Sequence, residues 1–370
     1  MQLFQITKCL SVALTFCLSS NVFAATDSVT RDLKTGDWVF TVTNPETNEQ
    51  KVWRFVPRNQ FIPRVRNTVH WNGSQFTYRY ALRNDKSSKQ SISYMWITNA
   101  DMKMPDTPAR VESKLIVKDD VATNFSELLD EAARNRKLFD AYIAKYISSP
   151  KDWRGRISIG KTLTSSEFGW FVHPNSPTTT EIAPGKTLQG TFIVRPELPG
   201  AGLADMQGAT EERGRAGDLP DTGPLADAWD EIEANDTLQI PVMLPAIAIP
   251  QPYNGAELAK RIKTHVATWL KLGLITQDTL DRLNRSFDSL INAQTYNNLA
   301  GTRAAVKEIL QEAYSHHRGL DHTKNEEDDE EHDAEPVKRK APATVPLNRV
   351  AARALSFDLT YLLTRAHIGK

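Results

Sequence analysis

The stretch Phe76-Thr77-Tyr78-Arg79-Tyr80-Ala81-Leu82 decides the fold class of this chain. Its large apolar side chains fall at every second position. That is the period of an extended strand, in which one set faces a core and the other faces away. Ile92, Tyr94 and Trp96, alternating with Ser93 and Met95, repeat the pattern, and Asn84-Asp85-Lys86-Ser87 between the two runs is turn chemistry. Trp38-Val39-Phe40-Thr41-Val42 is a further β-rich run, and strands resume over residues 156–159 and 169–172. A hairpin is expected over residues 181–194, where Pro184-Gly185 suits a type II turn. Together these predict an antiparallel, Ig-like β-sandwich over residues 30–250.

Three segments depart from the strand rhythm. Phe125, Leu128, Leu129, Ala132, Leu138, Phe139, Tyr142, Ile143 and Tyr146 recur at helical spacing, with Asn124 and Glu127 as a capping box, so a helix over 124–148 is inserted between strands. Residues 199–236 are rich in Gly, Pro, Ala and Asp and read as one long loop. Residues 238–249 are apolar but carry Pro241 and Pro245, which confines them to an edge strand or an extended connector.

From residue 254 the period becomes helical. Asn254 and Glu257 form a capping-box pattern before Leu258, Ile262, Val266, Trp269 and Leu270, and Gly273 is placed to end that helix in the left-handed conformation. Thr276 opens a second helix with Leu280, Leu283, Phe287, Leu290 and Ile291 inward; Asn298 opens a third with Val306, Ile309, Leu310 and Tyr314 inward. Short connections between three amphipathic helices predict an antiparallel helical bundle over 254–320. The run Lys324-Asn325-Glu326-Glu327-Asp328-Asp329-Glu330-Glu331 repels itself and buries nothing, so 321–345 is expected to be a disordered acidic linker. After Pro346 a last helix, 346–367, carries a stripe of Leu347, Val350, Ala354, Phe357, Tyr361 and Leu362 and is expected to dock on the bundle. The fold class is thus multidomain α+β.

The first 24 residues have the order of a cleavable signal peptide: Lys8, an apolar run from Cys9 to Leu18, and Val22-Phe23-Ala24 before the cut. Cys9 and Cys17 are the only cysteines and lie in that segment, so no disulfide is expected in the mature chain. Phe16 stands where a lipoprotein signal needs a small residue, which argues against lipidation of Cys17. The protein is therefore expected in the periplasm or outside a bacterial cell, with no membrane span after cleavage. The chain carries 45 basic and 45 acidic residues, and loss of Lys8 leaves the mature form at −1. A nucleic-acid partner needs a basic excess that this balance lacks.

Gly273-Leu274-Ile275-Thr276 followed by Leu280, Leu283 and Phe287, with Ala304-Ala305-Val306 and Ile309-Leu310, resembles the FIMAH- or FIVAR-like helical modules attached to secreted bacterial proteins. Residues 182–185 through Leu198-Pro199-Gly200 look like the last hairpin of sandwich domains in exported proteins. The resemblance implies a non-catalytic accessory or binding role and carries over no binding residues.

Gly155-Arg156-Ile157-Ser158-Ile159-Gly160-Lys161-Thr162 fits the phosphate-loop pattern, but a polar segment precedes it and no helical pattern follows, so it reads as a strand and turn. His316, His317, His322 and His332, beside the acidic run, are the candidate metal ligands; adjacent helical positions point about 100° apart, and the alternative is a solvated tail. Trp71, Tyr78 and Tyr80 are the candidate ligand-binding residues, part of an aromatic group with Tyr94 and Trp96 that is either a stacking platform for sugars or core. Trp71, next to the turn Asn72-Gly73-Ser74, is the best placed for exposure. No nucleophile elbow, paired-His zinc helix or dinucleotide fingerprint is present, and His70, His173 and His265 read as structural. No catalytic residue and no cofactor are assigned. The leading expectation is an exported, non-enzymatic binding or interaction protein whose partner is a carbohydrate or another exported protein. The alternative is a hydrolase with a scattered site in the sandwich.

Overall fold

The computed structural model describes residues 27–44, 46–99, 146–159, 166–172, 177, 180–209, 222–315 and 345–368. Outside these lie residues 1–24, expected as a leader, nearly all of the helix expected over 124–148, His173, Gly160-Lys161-Thr162, and the segment with His316, His317, His322 and His332. The described residues form a mixed α+β structure with three open antiparallel sheets and five helices. No helix among them is long and apolar enough to cross a membrane. They fall into two compact units, Met1–Val56 with Glu212–Asp230, and Pro57–Glu211 with Glu231–Lys370.

The smaller unit holds β1 (Ser28–Arg31), β2 (Trp38–Thr43) and β3 (Gln50–Phe55), hydrogen-bonded in that order. Phe40 and Phe55 meet edge to face at 4.9 Å, and Trp229, from the first turns of α1 (Pro224–Asn235), lies 4.5 Å from Phe55. This cluster is the local core.

The larger unit has two sheets. One runs β4 (Pro63–Trp71), β5 (Phe76–Asn84), β10 (Thr187–Arg195), β7 (Ile147–Ser148). The other runs β12 (Leu238–Ile247), β11 (Leu198–Gly208), β6 (Ile92–Asn99), β9 (Ser166–Val172), β8 (Trp153–Ile159). Period-two alternation holds along β5: Phe76, Tyr78, Tyr80, Leu82 and Asn84 are buried, while Arg79 and Arg83 are exposed. β12 is an edge strand, as its two prolines require, because a ring nitrogen donates nothing to a further neighbour.

Three expectations are corrected here. The stretch 199–236 is not one loop: β11 runs through Gly208 and α1 occupies Pro224–Asn235, with only 210–221 outside the described residues. Small residues fit β11 because it is a central strand under close cover. A β-carbon at Gly202 would meet Leu244 Cδ2 at 2.3 Å. The arm before Pro184-Gly185 is not paired with β10. Ile182 instead makes an isolated bridge to Ile92 in the other sheet, and the turn closed by Lys186 N donating to Ala183 O carries the chain between sheets. Ile147–Ser148, the end of the expected helix 124–148, is a short strand on β10.

Four helices follow: α2 (Gly255–Thr268), α3 (Gln277–Thr295), α4 (Leu299–Ser315) and α5 (Arg349–Ile368). Asn254 Oδ1 accepts from Glu257 N at 2.9 Å and so caps α2, but the Glu257 carboxylate turns to Arg261 rather than back to the cap. α2 ends at Thr268, before the expected Gly273, which adopts φ +68° in the following turn, where Leu274 N donates to Trp269 O. Asn298 Oδ1 accepts from Gly301 N at the start of α4. α5 packs on α2 and α4 and also on β11 and β12. One apolar cluster consequently runs from Tyr80, Leu82, Met95 and Trp170 of the sheets into Ile262, Phe287, Ile309 and Leu359 of the helices. Burial of this surface stabilises by about 25 cal/mol per Å².

Candidate functional site

The β4–β5 hairpin turns on Asn72, whose Oδ1 accepts from Ser74 N, Ser74 Oγ and Gln75 N at 2.9–3.1 Å. Gly73 takes φ +100°, which a side-chain-bearing residue rarely adopts. The turn thus fixes Trp71, whose ring lies 4.3 Å from Phe76 on the facing strand. From α5, Phe357, Tyr361 and Arg365 project along one stripe at i, i+4, i+8. Tyr361 meets Trp71 edge-on at 5.9 Å, and Phe357 meets Phe76 at 5.8 Å. Arg365 lies over the Tyr253 ring at 5.0 Å.

A groove of about 380 Å³ has Trp71, Glu197, Gln251, Tyr361 and Arg365 on its walls. Behind the wall, Arg195 is 1% exposed and makes two bonds to the Glu197 carboxylate, Nε to Oε2 at 2.9 Å and Nη2 to Oε1 at 2.8 Å. The Tyr78 hydroxyl donates to the Glu197 carbonyl at 2.6 Å. Burial holds the Tyr78 phenol well above its ordinary range. Burial likewise pushes Tyr253 up to about 12, with Tyr361 adding and Arg365 opposing, and its buried hydroxyl meets no hydrogen-bond partner among the described residues. Asp358, on the inner side of α5, is 1% exposed, and burial raises its carboxyl well above the usual carboxylate range.

Of the three candidate ligand-binding residues, the structure brings only Trp71 to a groove. Tyr78 and Tyr80 are in the core, 0% and 1% exposed, with their hydroxyls on the backbone carbonyls of Glu197 and Met243. They share Trp71's face of the hairpin, but there both are buried, and Tyr80 packs against Trp170 of the second sheet at 5.5 Å. Tyr94 and Trp96 stack at 6.0 Å on the other face of their strand. Sequence reasoning missed Tyr361, Arg365 and Gln251, because they join Trp71 from a helix nearly three hundred residues away and from the linker after β12. Their one signal was the apolar stripe containing Phe357 and Tyr361.

His70 is exposed on β4, and His265 lies edge-on to Trp269 at 5.8 Å. Gly155–Ile159 of the phosphate-loop match are paired with β9 as a ladder, which directs their amides to a neighbouring strand rather than to an anion. No group of three or more His, Cys, Asp or Glu able to hold a metal occurs among the described residues. Aromatic faces, a guanidinium, an amide and a carboxylate held by Arg195 suit the groove to holding a ligand with apolar faces and hydroxyl edges. No protein-family model, no curated protein and no solved structure matches the chain.

Proposed function

We propose that this is an exported, non-enzymatic binding protein whose groove beside Trp71 holds a sugar ring of a carbohydrate ligand. The observation that carries the reading is Trp71 itself: a half-buried indole, fixed by the Asn72 turn and braced by Tyr361, beside Arg365 and Gln251. Ring faces receive C–H surfaces, and the flanking polar groups select hydroxyls. Export rests on the order of residues 1–24, with a mature end expected at Ala25.

The same reading takes the two sheets of the larger unit as an Ig-like sandwich, supported by their shared core, and 254–320 as a bundle, supported by the short connections at Gly273 and Asn297. Residues 321–344, expected to be a linker from their charge density, lie outside the described residues.

The test is calorimetry and tryptophan fluorescence of the mature protein against a panel of soluble oligosaccharides. A saturable ligand is expected, with affinity lowered at least tenfold in Trp71→Ala. Turnover of glycosidase or esterase substrates by the purified protein, lost in a groove variant, would replace this reading with the hydrolase.

A further inference from the structure

The opposite face of the β4–β5 hairpin carries a different chemistry. Arg64 and Arg66 alternate with buried Pro63, Val65 and Asn67 on β4, and Arg79 and Arg83 alternate with buried Tyr78, Tyr80 and Leu82 on β5. All four arginines therefore lie on one outward face. The register sets Arg64 directly against Arg83 and places Arg66 diagonal to Arg79, across the Arg66–Ala81 and Thr68–Arg79 pairs. Like charges facing across a ladder destabilise it. Asp85 stands at the far end, 3.4 Å from Arg64.

The third strand of this sheet opens a hollow beside the arginines. The β5–β10 register slips between Leu188 and Thr191, and Gly190 takes φ +94° at the slip. Such a bulge breaks the ladder and re-aims the side chains around it. The result is a cavity of about 440 Å³ lined by Arg66, Thr68, Arg79, Gln189 and Phe192. Two guanidiniums offer forked donors that match a carboxylate or a phosphate. Phe192 and Ala81 give an apolar floor, and Thr68 and Gln189 give neutral hydrogen-bonding groups. An anionic group attached to a ring with hydroxyls fits that set. From Arg79 to Arg83 the strand advances about 13 Å, more than one sugar ring spans, so the charges continue past the cavity along a line.

We infer that this face is a second binding site, for a polysaccharide that bears anionic groups along its length, with Arg66 and Arg79 gripping one such group in the cavity and Arg64 and Arg83 reading the next. It is on the other side of β4 from the Trp71 groove and does not rest on the reading of that groove.

The probe is an oligomer of uronic acids, titrated into the full mature chain by calorimetry at salt from about 0.05 to 0.3 M. Three control titrations use a neutral oligosaccharide of similar length, polyglutamate and inorganic phosphate. Saturable binding of the uronate is expected, weakening as salt rises, with the controls at least tenfold weaker. Arg66→Gln with Arg79→Gln should lower the affinity at least tenfold, and Arg79→Lys, which keeps the charge but loses the fork, should lower it measurably. Circular dichroism should show the double variant folded like the parent. A sulfated glycan binding in place of the uronate, with the same loss in the double variant, would support the site and reassign the anionic group. No saturable binding of either glycan would overturn the inference. So would polyglutamate binding as tightly as the glycan, or full affinity in the double variant.

Discussion

Gly169 lies directly beneath the indole of Trp96: a β-carbon on that glycine would fall 1.8 Å from Cε3 and 2.0 Å from Cζ3 of the ring. The two residues face each other in the β6–β9 register, and Tyr94 stacks on the same indole with its plane 4° off parallel. Gly169→Ala must therefore lift Trp96 off the sheet and break that stack. A loss of about 1–3 kcal/mol is expected from denaturant melts. Trp96→Ala should absorb the effect, so that adding Gly169→Ala to it costs little more. A Gly169→Ala protein as stable as the parent would show that the ring does not sit there.

Arg195 and Glu197 form an ion pair in which the arginine is nearly excluded from water. Removing one partner leaves the other charge uncompensated. Arg195→Gln should cost about 3–5 kcal/mol, whereas Arg195→Met combined with Glu197→Gln should cost less than Arg195→Gln alone. A double-mutant cycle by chemical unfolding measures both. Additive losses would mean that the two side chains do not act as a pair.

Asp358 gives the protein a pH dependence of defined sign. Its carboxyl is raised by burial when folded and sits near the ordinary value of about 3.9 when unfolded. Above that ordinary value the unfolded chain gives up this proton while the folded chain keeps it, so unfolding releases a proton. Stability contributed at this position is greatest below about pH 4 and falls as pH rises towards the folded value, by at most about 1.4 kcal/mol per pH unit. Asp358→Asn stays neutral throughout. Relative to the parent it should gain stability as pH rises from 4 to 8. A difference between the two that is flat over that range would refute the assignment.

Asn254 caps α2 through its bond from Glu257 N. Asn254→Ala should cost about 1 kcal/mol, and Asn254→Ser should recover most of it. Because Glu257 pairs with Arg261 rather than with the cap, Glu257→Gln should change stability by less than about 0.5 kcal/mol. Thermal unfolding monitored by circular dichroism separates the two substitutions.

Residue order by itself determined the local elements whose periodicity is strong. The alternation in Phe76–Leu82 made β5, Asn254 capped α2, Asn298 opened α4, and Pro241 with Pro245 left β12 at an edge; each follows from backbone sterics and hydrogen bonding within a few residues. Composition misled where it substituted for pattern. Gly200, Gly202 and Pro199 suggest a loop, yet β11 is a central strand because its neighbours press close enough to exclude larger side chains. Only the tertiary structure decided which aromatic residues could meet a ligand. Tyr78 and Trp71 share one strand face of the hairpin and are equivalent to any period-two count. Tyr78 is fully buried with its hydroxyl on the Glu197 carbonyl, whereas Trp71 stands half-buried at the turn and borders a groove. Likewise the arginines of β4 and β5 are ordinary solvent-side residues along the chain. They become a charged face only through a register that sets Arg64 against Arg83, a pairing fixed by hydrogen bonds between strands and invisible in either strand alone.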